Sequence, residues 1–150
     1  MNTTMTASPQ PLLNSNTQVI IQGMTGKEGQ RALNWMLKTG IAVVAGVTPG
    51  KGGQVVEAQG KEYPVYNSVS EALKEHPDVT LSSMYVPPKF VLSAAKEAIT
   101  AKNPQGKSLQ AVHIFAEGVP SLDTSIILEL AQEYGVRVVG PSSIGFARTG

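Results

Sequence analysis

The chain has 150 residues with 12 basic and 11 acidic side chains, 41% hydrophobic residues, 15 glycines, 10 prolines and no cysteine. That length and composition suit one globular domain that buries its core without covalent staples, and the interspersed charge, net +1, gives no face for nucleic acid or an anionic membrane. The missing cysteines exclude disulfides, thiolate metal sites and cysteine nucleophiles, and neither a signal peptide nor an apolar run of about 18 residues is present, so a cytoplasmic protein is expected.

Residues 1–16 (MNTTMTASPQPLLNSN) carry no charged side chain and no periodic apolar face, which predicts a flexible leader before an ordered domain over 17–150. They hold none of the arginines of a transit peptide. From Gln18 an apolar, β-branched run turns through glycines into a helical pattern, TQVIIQGMTGKEGQRALNWML. Such a turn presents backbone N–H groups at a helix start, where the dipole favours an anion, so a phosphate site is the first expectation. The glycines Gly23, Gly26 and Gly29 are spaced GxxGxxG, one position away from the GxGxxG of dinucleotide-binding domains. A glycine pattern alone also suits purely structural turns.

A helix is predicted from about Glu28 to Lys38, with Ala32, Leu33, Met36 and Leu37 on one face and Gly40 as its stop; Trp35 reads as a packing or interface residue. The second strand, Ile41 to Val47, runs into Thr48-Pro49-Gly50-Lys51-Gly52-Gly53. A carboxylate at this point would hold a ribose 2′-OH, and none is there. Lys51 suits a phosphorylated ribose instead, which points to coenzyme A or NADP.

Gln54 to Ala58 and Glu62 to Tyr66 flank Gly60 as a β-hairpin excursion expected to close near Tyr63 to Val65. Ser68 or Ser70 then caps a helix Glu71 to Glu75, ended by Pro77, and a strand Val79 to Tyr85 leads to Val86-Pro87-Pro88. A helix Lys89 to Ala101 has Val91, Ala94, Ala95, Ala98 and Ile99 on one face. After the polar loop KNPQGKS come a central apolar strand Gln110 to Ala116, a helix Leu122 to Tyr134 stopped by Gly135, and a last strand Val136 to Val139. Strands separated by single helices predict a Rossmann-like, doubly wound α/β fold, a mainly parallel sheet with helices on both faces. Its ligand edge gathers the loops Gly23 to Glu28, Thr48 to Gly53, Val86 to Lys89, Glu117 to Pro120 and Gly140 to Gly145.

The segments VIIQGMTGKEG, AGVTPGKGG, YPVYNSVSEAL, MYVPPKF, AEGVP and GVRVVGPSSIG follow one another over roughly residues 17–147. In order and spacing they resemble the N-terminal CoA-binding domain of the succinyl-CoA synthetase α subunit, and its relatives in citryl-CoA synthetase and ATP citrate lyase. The resemblance implies that Gly23, Thr25, Gly26, Lys27 and Glu28 surround the phosphate or pantetheine portion of CoA and that Lys51 pairs a phosphate. It also implies that Val86 and Pro87 line the adenine or pantetheine groove, and that Phe115, Ala116 and Glu117 flank the thiol end. Two departures stand out: Ser142-Ser143 where succinyl-specific members often have Asn-Cys, and the longer KNPQGKS connection.

The resemblance further implies a carboxylate, CoA and nucleoside triphosphate reaction through a phosphohistidine in a second α domain, together with a β-type ATP-grasp subunit. That domain is expected to follow Arg148-Thr149-Gly150, so the isolated chain is expected to be inactive, with no catalytic or metal-binding residue of its own. Of the two histidines, His76 reads as a solvated helix-end residue and His113 as a core histidine of an apolar strand. Asp123 is explained by a helix dipole. The other possibilities are a free-standing CoA- or nucleotide-binding regulatory module, and an NADP-binding Rossmann domain, which the displaced glycine weakens.

Overall fold

The computed structural model describes residues 13–140. Their order is β1 (Gln18–Gln22), α1 (Lys27–Lys38), β2 (Ala42–Val47), β3 (Val55–Ala58), β4 (Lys61–Tyr66), α2 (Val69–Glu75), β5 (Val79–Met84), α3 (Pro88–Thr100), β6 (Ala111–Ile114), α4 (Ser121–Tyr134) and β7 (Arg137–Val139). The strands make one sheet in the order β3-β4-β2-β1-β5-β6-β7, parallel except where β3 runs against β4. This is the expected Rossmann-like α/β architecture. Most of the leader, and Ser142-Ser143 with the chain beyond them, lie outside the described residues.

Strand order decides which face each helix covers. Crossovers between parallel strands are right-handed, so reversing the direction of travel along the sheet moves the helix to the other face. From β1 to β2 the chain travels one way; from β4 to β5, β5 to β6 and β6 to β7 it travels the other. Accordingly Leu33 and Met36 of α1 pack with Val19, Ile21, Val43 and Leu81, whereas Leu73, Val91, Ala95 and Ile127 of the other three helices pack with Ile20, Ala45, Val112 and Ile114. Neighbouring residues of β1 thus enter opposite cores, as the pleat requires, and the strand reads as an unbroken apolar run because both faces are covered. Leu33, fully buried, is a site where truncation to Ala costs about 2–5 kcal/mol.

Several boundaries differ from expectation for local reasons. The hairpin closes at Gln59-Gly60, not near Tyr63 to Val65, which lie inside β4. Ala58 pairs with Lys61, and both intervening residues have positive φ, 52° and 79°, a two-residue turn whose twist matches the strands. Helix α2 starts two residues earlier than predicted, with Ser68 as the cap: its Oγ accepts the Glu71 N–H at 3.1 Å. Pro88 opens α3 because its missing N–H has no intrahelical use there. Gly135 ends α4 as expected, at φ 72°. The KNPQGKS connection is a turn built on Asn103, whose Oδ1 accepts N–H bonds from Gln105 and Lys107 while its Nδ2 donates to the Pro77 carbonyl.

Candidate functional site

The chain leaves β1 toward one face of the sheet and β5 toward the other, so a crevice opens between these adjacent strands at their carboxyl ends. A cleft of about 370 Å³ lies there. Its floor is Gln22, Gly23 and Val47; one wall is Thr48 and Pro49; the other is Val86 and Pro87, continued by Phe90, Ser93 and Glu97 along α3. The walls are mainly apolar with few polar groups, the usual character of a small-molecule site.

Gln22 closes the bottom. It is buried, its Nε2 donates to the Ala94 carbonyl at 3.0 Å, and its Oε1 accepts from Ser82 Oγ at 2.6 Å, so both ends of the amide are satisfied. The three glycines of the β1–α1 turn then separate by role. Gly23 has φ 86°, and a Cβ there would stand 2.5 Å from the Tyr85 carbonyl oxygen. At Gly29 a Cβ would run into the Gly23 carbonyl. Both are required by the fold. Gly26 is different: its φ of −80° suits any residue, and the nearest atom to an added Cβ is 3.5 Å away. The fold does not need a glycine at that position.

Gly26 is the N-cap of α1 and gives no side-chain cap, so no side chain at the cap takes up the first-turn N–H groups, at the positive end of the helix dipole. Lys27 is exposed beside it, while the Glu28 carboxylate lies 3.4 Å from Arg31. Thr25 Oγ1 donates to Thr48 Oγ1 at 3.1 Å and so ties this turn to the cleft wall. Lys51 is exposed at the head of the loop after β2, whose Gly50 and Gly53 have φ of 83° and 93°.

The structure therefore brings Gly23, Val86 and Pro87 into the cleft itself, with Thr25 bonded to its wall, Gly26 in the turn that carries Thr25, Lys27 and Glu28 in the first turn of α1, and Lys51 in the loop that carries Thr48. Phe115, Ala116 and Glu117 follow β6 and lie one strand further along the same edge, outside the cleft lining. The Phe115 ring packs on Tyr85 at 5.1 Å and stays 42% exposed.

Three polar features of this edge escaped the sequence. Ser93 and Glu97 stand four residues apart on α3, a spacing visible in the sequence had its polar face been followed as well as its apolar one. The Glu97 carboxylate accepts the Val69 N–H at 2.6 Å; burial pushes its pKa up, a shift which that hydrogen bond opposes and Glu71 reinforces. Asn67 accepts N–H bonds from both Gly50 and Gly52. Both histidines make contacts within the fold. His113 is buried in β6 with Nδ1 2.8 Å from Ser83 Oγ, and burial lowers its pKa to about 4. His76 caps the end of α2 but is not simply solvated, since Nε2 lies 3.1 Å from the Tyr66 hydroxyl.

The sequence profile of the CoA binding domain matches residues 14–117, from the start of the described chain through the loop after β6. The chain belongs to the CoA-binding domain family. It is 41% identical, over 146 residues, to the α subunit of an ADP-forming succinate-CoA ligase of Methanothermobacter thermautotrophicus, covering 97% of this chain and 46% of that protein. It is 36% identical, over 138 residues, to subunit SauD of the ADP-forming sulfoacetate-CoA ligase of Bilophila wadsworthia, covering 92% of this chain and 43% of that subunit. The chain thus spans about half the length of these relatives. The ATP citrate lyase of Methanothrix soehngenii, solved with citrate and coenzyme A, shares the fold with a TM-score of 0.74 at 20% identity, over 87% of this chain and 21% of that one. The succinyl-CoA synthetase resemblance inferred from six short segments is the relationship these matches display.

Proposed function

We propose that this CoA-binding domain delivers coenzyme A to an ADP-forming acyl-CoA ligase, in which a carboxylate, CoA and a nucleoside triphosphate give an acyl-CoA. Gly26 is the observation that carries the placement of the ligand. Its missing side chain is not required by conformation or packing, and it stands where an uncapped helix start faces outward, as expected if a phosphate or pantetheine group approaches the backbone there.

The residues present fit CoA. Thr25, Gly26, Lys27 and Glu28 form the backbone cradle, with Gly23 shaping the turn beneath it. Lys51 supplies the cation for a ribose phosphate. Val86 and Pro87 give the apolar wall for the adenine or pantetheine portion, and Phe115, Ala116 and Glu117 lie along the edge where the thiol end would emerge. The acyl phosphate and the phosphohistidine that feed the reaction belong, in this proposal, to a second α domain and a β-type ATP-grasp subunit. Neither His76 nor His113 is placed as a mobile phosphoryl carrier, one being held by Tyr66 and the other buried in the sheet. No helix among the described residues is long and apolar enough to cross a membrane. We assign the protein to the cytoplasm on the chemistry of an ATP- and CoA-consuming reaction.

Calorimetry on the 150-residue chain with CoA, dephospho-CoA, NAD and NADP tests the proposal. CoA is expected to bind tightest. NAD binding as tightly as CoA overturns it, because Lys51 occupies the position where a ribose-binding carboxylate would stand.

A further inference from the structure

We propose that Asn67 is a positioning residue for Lys51, the anchor that holds the glycine loop after β2 in the shape that presents its cation. The proposal rests on the reading of Lys51 as the partner of a CoA phosphate. Strands β2 and β4 are parallel neighbours, with Val47 opposite Tyr66, so their carboxyl ends reach the same edge and Asn67 emerges beside the loop. Its Oδ1 accepts the N–H of Gly50 and of Gly52, each at 2.9 Å, and these are the residues on either side of Lys51. Two donors converging on one atom require an oxygen there, which fixes the orientation of the amide.

The three glycines of the loop divide accordingly. Gly50 and Gly53 have positive φ and need to be glycine for conformation. Gly52 does not; its missing side chain makes room for Asn67, since a Cβ at 52 would stand 2.5 Å from Asn67 Nδ2. The glycine at 52 and the asparagine at 67 are thus one feature. Asn67 is itself held, because its N–H donates to Glu71 Oε1 at 3.1 Å while the Glu71 N–H donates to Ser68 Oγ. The loop that carries Lys51 therefore rests on the start of α2, through a residue 16 positions away in sequence (67 − 51). Backbone bonds from Lys51 to the Thr48 carbonyl and from Gly53 to the Val65 carbonyl complete the turn without constraining the Gly50 and Gly52 amides.

The test compares wild type, Asn67→Ala, Asn67→Asp, Lys51→Ala and the Ala/Ala double variant. In the first arm, without ligand, amide hydrogen exchange is read at Gly50 and Gly52, with Leu33 as a core control. Asn67→Ala is expected to speed exchange at the two glycines roughly tenfold, Asn67→Asp to restore protection because it keeps the acceptor oxygen, and neither to alter Leu33. Unchanged protection at Gly50 and Gly52 in Asn67→Ala overturns the anchor. In the second arm, Asn67→Ala is expected to weaken CoA binding roughly three- to tenfold, less for the CoA form lacking the phosphate that Lys51 pairs, and to add nothing once Lys51 is alanine. Additive losses in the double variant overturn the coupling to Lys51. A wild-type chain whose affinity for every CoA form is indifferent to Lys51→Ala instead overturns the phosphate assignment, while the exchange arm still decides whether Asn67 holds the loop.

Discussion

The Oγ1 atoms of Thr25 and Thr48 lie 3.1 Å apart, joining the turn after β1 to the loop after β2 across the mouth of the cleft. The bond fixes the helix start of α1 relative to the wall on which a ligand would lie. Thr25→Val keeps the shape of the side chain and removes the donor. This half-buried hydroxyl pair contributes about 0.5–1.5 kcal/mol, so thermal stability is expected to change little while CoA affinity falls by a few-fold. Equal affinity in calorimetry on the folded variant would show that the two loops are held apart from this contact.

The glycines of the same turn predict opposite phenotypes. Gly26→Ala has room for its methyl group and a compatible φ, so stability should fall by less than about 1 kcal/mol, the scale of an N-cap change, while CoA binding is lost at least tenfold. Gly29→Ala drives a Cβ into the Gly23 carbonyl and should destabilise the fold by more than about 2 kcal/mol. Urea unfolding alongside calorimetry separates the two. A Gly26→Ala protein that binds CoA normally would return that glycine to an accident of the turn.

A chain of polar groups links half-buried Tyr85 to the buried Ser83 and His113. Ser83 Oγ donates to the Tyr85 hydroxyl at 2.9 Å, which leaves His113 Nδ1, at 2.8 Å, as the donor to Ser83. Burial lowers the His113 pKa from 6.5 to about 4. Between those values the unfolded chain binds more protons than the folded one, so this contribution is fully present above pH 6.5 and is lost as pH falls toward 4, by about 3 kcal/mol. Glu97, whose pKa is raised, contributes a slope of the opposite sign, so the decisive quantity is the difference between wild type and His113→Gln. Stability curves of the two that run parallel from pH 7 to 4 would refute the assignment.

Strand and helix order was legible because β1 and β2 are short apolar runs that meet glycine or proline within two residues of their ends, and because α1 and α3 carry clean apolar faces. The site was legible only in part. Gly26 could be singled out by motif, yet nothing in the spacing GxxGxxG says that Gly23 and Gly29 serve the fold and Gly26 does not; that depends on where the Tyr85 and Gly23 carbonyls point. Asn67 was hidden for a different reason. It meets Gly50 and Gly52 only because the β3–β4 hairpin returns the chain alongside β2, and a hairpin placed to close at Tyr63 to Val65 does not bring Asn67 to that edge. Ser93 and Glu97 lie beside the apolar face of α3, where periodicity alone does not separate polar groups that line a cleft from those that face solvent.

In the function proposed above, the choice of ligand depends on Lys51. It is exposed on a loop shaped by Gly50 and Gly53 and held by Asn67. If it pairs a phosphate, Lys51→Ala removes a charge-assisted contact worth about 1.5–3 kcal/mol, or roughly ten- to a hundred-fold in dissociation constant. Folding is expected to be untouched, because none of the hydrogen bonds that shape the loop uses the lysine side chain. The loss should shrink for whichever ligand lacks the partnered phosphate, so a cycle of Lys51→Ala against CoA and dephospho-CoA identifies that group. The salt dependence of binding should weaken in the variant as well, since one ion pair has gone. An exposed lysine with no ligand partner contributes almost nothing, and predicts a change of less than about threefold for every ligand with an unaltered salt dependence. That outcome would move phosphate binding wholly to the backbone of Thr25 to Glu28, where a helix start selects for negative charge but not for one phosphorylated ribose over another.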